Sequence, residues 1–206
     1  MRACGVGDPG DLDHQGERLL LALVADLDSS FAELVRAHER VVFSVALRLS
    51  SRPADAQDLA AEAFLRAYRA LRGYDAERIA SLRLRPWLLT VLRNAARNAA
   101  RDAARRPAPP PGFEPEQHSG GPSVEEQVEQ HDIGRRLGAV LAQLPEAQRL
   151  AVVLRHVVGL PTSEVAEVLG CPDGTAKSHI SRGLHRLRAL LTEQPSDGLL
   201  AGRTVR

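Results

Sequence analysis

TSEVAEVLGCPDGTAKSHISRGLHRLRALL, Thr162 to Leu191, holds two helical patterns separated by a stretch that no helix crosses. Thr162-Ser163-Glu164 reads as a cap, and Val165, Ala166, Val168 and Leu169 form the apolar side of a short helix behind it. Gly170-Cys171-Pro172-Asp173-Gly174 then breaks the pattern. In a last helix from Thr175 to about Leu191, the residues Ala176, Ile180, Leu184, Leu187 and Leu191 recur at intervals of four, four, three and four. That is the period of a buried stripe. Lys177, Ser178, Ser181, Arg182, His185 and Arg186 are left facing outward, with His179 at the border. Two short helices around a tight glycine-containing turn, the second one basic, outline a helix-turn-helix. Short hydroxyls beside Lys and Arg near the start of such a helix suit a DNA major groove, where the cations pair with guanine edges or phosphates and serine reaches either.

Working back from this motif, Pro145 opens a helix whose buried side is Leu150, Val153, Leu154 and Val157, ending at Gly159. A longer helix is expected from Ser123 to Ala142, because Ser123-Val-Glu-Glu126 is a capping box. Before it lies PAPPPGFEPEQHSGGP, Pro107 to Pro122, with six of the thirteen prolines and three glycines. This composition predicts a flexible, partly extended linker. From Pro107 to Gly134 there is no Lys or Arg, and six acids fall there. The expected organisation is therefore all-α: two small helical domains, 16–106 and 123–193, joined by a Pro/Gly-rich acidic linker, 107–122. Residues 1–15 and 194–206 read as flexible tails.

The N-terminal half is helical in pattern throughout. A short helix covers about Gly16 to Ala25, and a second starts near Ser29 or Ser30, either of which could cap it. The second places Phe31, Leu34, Val35, His38, Val41, Val42, Val45 and Leu49 on one face. A third, from Pro53 to the stop at Gly73, buries Ala56, Leu59, Ala60, Ala63, Phe64, Ala67 and Leu71. GYDAERIASLRLR is polar and basic without a clean period, and reads as a loop. A fourth helix starts at Pro86 and turns Trp87, Leu88, Val91, Leu92, Ala95 and Ala99 inward.

That helix continues as RNAARNAARDAARR, with Arg93, Arg97, Arg101 and Arg105 four residues apart. Four residues advance an α-helix by about 400°, so the repeat writes slowly winding stripes of arginine, of Asn94/Asn98, and of alanine. Ala95, Ala99 and Ala103 are expected to pack on a neighbour, on the side away from the arginines. Exposed helices this rich in arginine ordinarily interleave glutamates, yet only Asp102 could pair here, with Arg105 or Arg106. A stripe so poor in acidic partners suits a polyanion.

The formal net charge of +1 thus conceals strong segregation along the chain. Aromatics make up only 3%, which favours helices over sheets. Cys4 and Cys171 form neither a zinc-ligand spacing nor a disulfide framework. The apolar run LLLALVA from Leu19 is too short to span a bilayer and follows acids, not the positive charge of a signal peptide. A cytoplasmic protein without membrane insertion is expected, with no metal, no cofactor and no catalytic residue. His179 and His185 stand about 240° apart around their helix and could not share a metal.

Three blocks, Phe31 to Leu71, Arg85 to Asp102 and Leu144 to Leu191, together resemble the bacterial RNA polymerase sigma factors of the extracytoplasmic-function (ECF) group, which keep sigma regions 2 and 4. The resemblance implies docking on core RNA polymerase, at the coiled coil of its largest subunit and at its flap. Asp58, Leu59, Glu62, Phe64 and Arg66 would make the coiled-coil contact. It implies that Gly73 to Arg85, with Arg93, Asn94, Arg97, Asn98 and Arg101, binds and helps melt the minus-ten promoter element. Lys177, Ser178, His179, Ser181, Arg182 and Arg186 would read the minus-thirty-five element. An anti-sigma factor is a further implied partner. The chain departs from the family at Ala61, where glutamine is usual, in the longer segment from Gly73, and at TAKSH, where TVKSR is frequent. A free-standing helix-turn-helix repressor or activator is the alternative reading, but the N-terminal half offers basic helices in place of an effector domain.

Overall fold

The computed structural model describes residues 9–50, 52–105 and 137–193. The linker, the capping box at Ser123 to Glu126, and residues 1–8 and 194–206 lie outside them. Every regular element among the described residues is helical. The chain divides between Arg106 and Pro107 into two compact units.

In the first unit, α1 spans Pro9–Ala25, α2 Leu27–Leu49, α3 Pro53–Arg72, α4 Ala76–Ala80 and α5 Leu84–Arg105. Helix α1 starts at Pro9, not at Gly16. Proline is tolerated in a first turn because the N–H it lacks has no helical acceptor there. The cap of α2 is Asp26, not Ser29 or Ser30. Its backbone is extended and its carboxylate accepts from the Ser29 N–H at 3.2 Å; hydrogen bonding from the Ser29 side chain, and then from this N–H, pulls that carboxyl below its usual range. The Ser30 hydroxyl turns back instead and donates to Ala22 O at 3.1 Å.

Helices α2 and α3 pack on each other, and α5 packs on both. Their contact is paved with small residues: Ala46, Ala56, Ala63 and Ala67 are fully buried, so the helix axes approach closely. Leu34, Leu71, Leu88, Leu89 and Leu92 fill the remaining space. Phe64 is only half-buried, at the edge of the core and not within it. The basic segment after Gly73 contains a helix that no period announced. Asp75 caps α4, accepting from the Arg78 N–H at 2.8 Å, and Ile79 is its buried anchor.

His38 of α2 is half-buried, and its Nδ1–H donates to Leu34 O at 3.1 Å. Burial lowers its pKa, the hydrogen bond opposes this, and the positive charge of Arg85 lowers it further. An unfolded histidine titrates near about 6.5. Below that pH the unfolded chain takes the proton first, so the native state loses stability as pH falls through about 6.5 toward the depressed folded value, and is unaffected by His38 above. The urea midpoint should therefore fall between about pH 7.5 and 5.5 in a manner that His38→Gln reduces. Equal slopes in the two proteins would remove His38 as the source.

In the second unit, helical residues 137–142 form α6, followed by α7 Glu146–His156, α8 Thr162–Leu169 and α9 Asp173–Glu193. Leu150, Val153, Leu154, Leu160, Val165 and Val168 build its core, with Ala151 and Val152 also buried. Val157 stands 44% exposed, because α7 has ended before it. The Arg155 guanidinium donates to Leu160 O at 2.9 Å and ties the turn to α7. No side chain caps α8: Pro161 holds the N-cap position, with extended backbone, where Thr162 was expected. The exit from α8 is built on Gly170, left-handed at φ 62°, while the Cys171 N–H reaches Ala166 O at 3.1 Å. Those two features satisfy the last carbonyls and let the chain reverse into α9.

Candidate nucleic-acid interface

Helix α9 begins at Asp173, two residues earlier than expected. Ala176 is fully buried and Ile180, Leu184 and Leu187 are half-buried, which fixes the helix by its apolar stripe. Leu191 fits that stripe by its spacing but is not buried; it is 51% exposed, near the end of the helix. Lys177, Ser181, Arg182, His185 and Arg186 are exposed, and with Ser178 they span about 180° of the helix. The Ser178 hydroxyl donates to Gly174 O at 2.9 Å, leaving its lone pairs as acceptors. His179 is half-buried at the border, its Nδ1 enclosed without a hydrogen-bond partner. It is the edge of the recognition surface, not its centre.

A residue that the periodicity missed sets the position of this surface. Gly183 is buried, and a Cβ there would lie 2.6 Å from Val152 Cγ2 and 3.0 Å from Gln148 O. Helix α9 thus lies directly on α7 at this point, with no room for a side chain between Gly183 and the Val152 side chain or the Gln148 backbone. The only sign of it in the sequence is a glycine within a helical period.

On α5, Asn94, Arg97, Asn98, Arg101, Asp102 and Arg105 are exposed, and Arg93 is half-buried. Ala95 packs inward as expected, at 2% exposure. Ala99 does not: it is exposed, because the helix has outrun α2 and α3 by then. The side chain of Ala103 lies outside the described residues. The last turns of α5 therefore project from their unit, and the described arginines of these turns stand on a helix open to solvent.

The five polymerase-contact candidates on α3 do not form one patch. Asp58, Glu62 and Arg66 make a single stripe at four-residue spacing, exposed or half-buried, and Arg66 Nε bonds Glu62 Oε1 at 2.7 Å. Leu59 is 9% exposed and faces the hydrophobic core, while Phe64 lies on the far edge. Beside the stripe runs a shallow apolar groove of about 540 Å³, lined by Phe31, Ala32, Ala61, Leu65 and Tyr68. The Tyr68 hydroxyl donates to Asp28, and its ring meets Phe31 edge-on at 5.0 Å. Among the described residues, no cluster of His, Cys, Asp and Glu could hold a metal, and no helix is long and apolar enough to cross a membrane.

Two helical units, one of them a helix-turn-helix, each offering a basic helix face, define a nucleic-acid-binding protein of bipartite design. Residues 34–106 match the model of Sigma-70 region 2, and residues 134–187 that of Sigma-70, region 4. The ECF RNA polymerase sigma factor SigE of Mycolicibacterium smegmatis is 34% identical over 172 residues, covering 82% of this chain and 64% of that protein. The RNA polymerase sigma-E factor of Streptomyces coelicolor is 34% identical over 176 residues, 85% of this chain and 94% of the relative. The fold resembles that of CnrH in complex with the cytosolic domain of CnrY (TM-score 0.65, 23% identity, 87% of this chain and 98% of the other). It also resembles the sigma factor RpoE in complex with the anti-sigma factor NepR from Bartonella quintana (TM-score 0.58, 24% identity, 83% and 99%). The chain belongs to the ECF family of RNA polymerase sigma factors.

Proposed function

We propose that this sigma factor joins core RNA polymerase and directs it to promoters by two contacts, one per unit. Residues 16–106 act as region 2 and 123–193 as region 4, with 107–122 as the acidic linker between them. In region 2, Asp58, Glu62 and Arg66 meet the coiled coil of the largest polymerase subunit, with Leu59 and Phe64 shaping the helix behind them. Arg93, Asn94, Arg97, Asn98 and Arg101 hold the minus-ten element. In region 4, which also meets the polymerase flap, Lys177, Ser178, Ser181, Arg182 and Arg186 read the minus-thirty-five element, with His179 at their border. The protein works in the cytoplasm, and an anti-sigma factor restrains it, as the complex of RpoE with NepR suggests by analogy.

The observation that carries this reading is the pair of outward basic faces, on α5 and on α9, in units that match regions 2 and 4. Tethering makes the second contact intramolecular once the first has formed, so each can be weak alone. Purified chain would be mixed with core polymerase and genomic promoter fragments, and transcript starts mapped. Initiation at fixed positions only when both proteins are present is the expected result, with poor binding of duplex by the chain alone. Tight, sequence-specific duplex binding without polymerase would favour a free-standing repressor or activator instead.

A further inference from the structure

Ser81 stands exposed at the C-terminus of α4, where a phosphoryl group would change both charge and local fold. Its N–H bonds back to Glu77 O at 3.0 Å, and its hydroxyl donates to Arg78 O at 2.9 Å. The surroundings are basic: Arg78 lies three residues before it, Leu82 follows, and Arg83 and Arg85 come next. Among the described residues, no other serine or threonine has an arginine three positions ahead of it. The Arg78 side chain is exposed and rests on the Tyr74 ring, its guanidinium carbon 3.8 Å from the centroid. Helix α4 is five residues long and held by one buried side chain, Ile79. A helix so short has no stability of its own. The segment can therefore open locally into the extended chain that a kinase cleft accepts. Kinases select substrates by charge pattern, and an acidic cleft suits this serine.

We propose that Ser81 is a phosphorylation site, served by an ATP-dependent protein kinase with an acidic substrate cleft, and that its modification switches off promoter opening. The second part rests on the promoter-binding reading above. In the transfer, Ser81 Oγ attacks the γ-phosphorus of ATP and a new P–O bond forms. The bond from that phosphorus to the β–γ bridging oxygen breaks, ADP leaves, and the hydroxyl proton passes to a carboxylate of the kinase. Phosphoserine carries about −1.5 to −2 charges near neutral pH. The hydroxyl bond to Arg78 O goes with the proton, and phosphate oxygens then face the last carbonyls of α4, which repel them. The cap breaks. The Arg78 guanidinium, three residues away, becomes the partner of the phosphate and leaves the Tyr74 ring. A basic segment directly before α5 thereby becomes anionic and repels DNA.

The site is tested on chain recovered from the cells that make it, in growth and in stationary phase, and digested with trypsin. Cleavage after Arg78 and Arg83 releases Ile79-Ala80-Ser81-Leu82-Arg83, in which Ser81 is the single hydroxyl residue. This peptide carrying one phosphoryl group is the expected product, and its absence in both phases would overturn the site. The switch is tested with phosphoserine built in at position 81 during translation, and promoter opening is measured with core polymerase. The phosphorylated chain is expected to open promoters about tenfold less well than the unmodified chain at low salt, the gap closing as salt rises. Phosphatase should restore opening. Ser81→Ala loses the same hydrogen bond without adding charge, and is expected to stay within about twofold of the unmodified chain. An equal loss in Ser81→Ala would make the cap and not the charge the cause, and overturn the switch. So would equal opening by the phosphorylated and unmodified chains. If the unmodified chain opens no promoter with core polymerase, it is the sigma-factor reading that falls, and the phosphopeptide still decides the modification.

Discussion

Gly183→Ala is expected to loosen the second unit and leave the first untouched. The new methyl group would meet Val152 Cγ2 at 2.6 Å and Gln148 O at 3.0 Å. Neither can yield cheaply. Val152 is 4% exposed and β-branched, with little rotamer freedom, and Gln148 presents its backbone. Helices α7 and α9 must move apart, which opens space along the core that positions the recognition helix. Alanine also brings a gain in helix propensity of about 0.5–1 kcal/mol, but overpacking of this kind costs about 1–3 kcal/mol and wins. Native-state hydrogen exchange separates the units. Amides of α7 and α9 should exchange faster, by up to about seventyfold, as a net cost of up to about 2.5 kcal/mol converts, while those of α2, α3 and α5 keep their protection. Gly174→Ala is the control, because nothing lies within 4 Å of a Cβ built there. Unaltered protection in α9 of Gly183→Ala would show that the two helices are not held at this contact.

Gly183 also shows where reading by period stops. Within a helix a glycine counts as a weakness, and only a second backbone at contact distance makes it a requirement. The stripes themselves were legible: Leu34, Val42 and Val45 on α2, Ala56, Ala60, Ala63 and Ala67 on α3, and Leu88, Leu92 and Ala95 on α5 face inward as their spacing predicts. Ala99, Val157 and Leu191 fit the same stripes and are nonetheless exposed. Periodicity names a face but cannot say where the partner helix ends. Helix α4 escaped notice because five residues are too few for a period, and Ile79 is its single buried side chain. The resemblance places Leu59 in the polymerase contact by its position in a motif, and a motif carries no direction, whereas the helical period already sets it on the buried side of α3. On α3 it points to the hydrophobic core, while Asp58 and Glu62 beside it point away.

The arginine rail gives the second large effect, and it can be resolved one residue at a time. In complexes of the chain, core polymerase and promoter DNA, Arg97→Ala and Arg101→Ala should each flatten the dependence of log K on log salt by about 0.9, the value for one phosphate contact on B-DNA. Arg93→Ala, Arg97→Ala and Arg101→Ala combined should remove up to about 2.7 from the slope by the same rule. Arg93 is half-buried, so its single variant is measured together with a check of the fold. Four-residue spacing puts successive guanidinium groups about 6 Å apart along the axis, and the projecting end of α5 lets a backbone approach without meeting α2 or α3. Asn94→Ala and Asn98→Ala should behave differently. An amide that bonds a base edge changes sequence preference, by about 1–3 kcal/mol at one position, and leaves the salt slope alone. A slope unchanged in Arg97→Ala and Arg101→Ala would mean that the stripe does not touch phosphate. A slope changed by the asparagines would mean that they serve the backbone and not the bases.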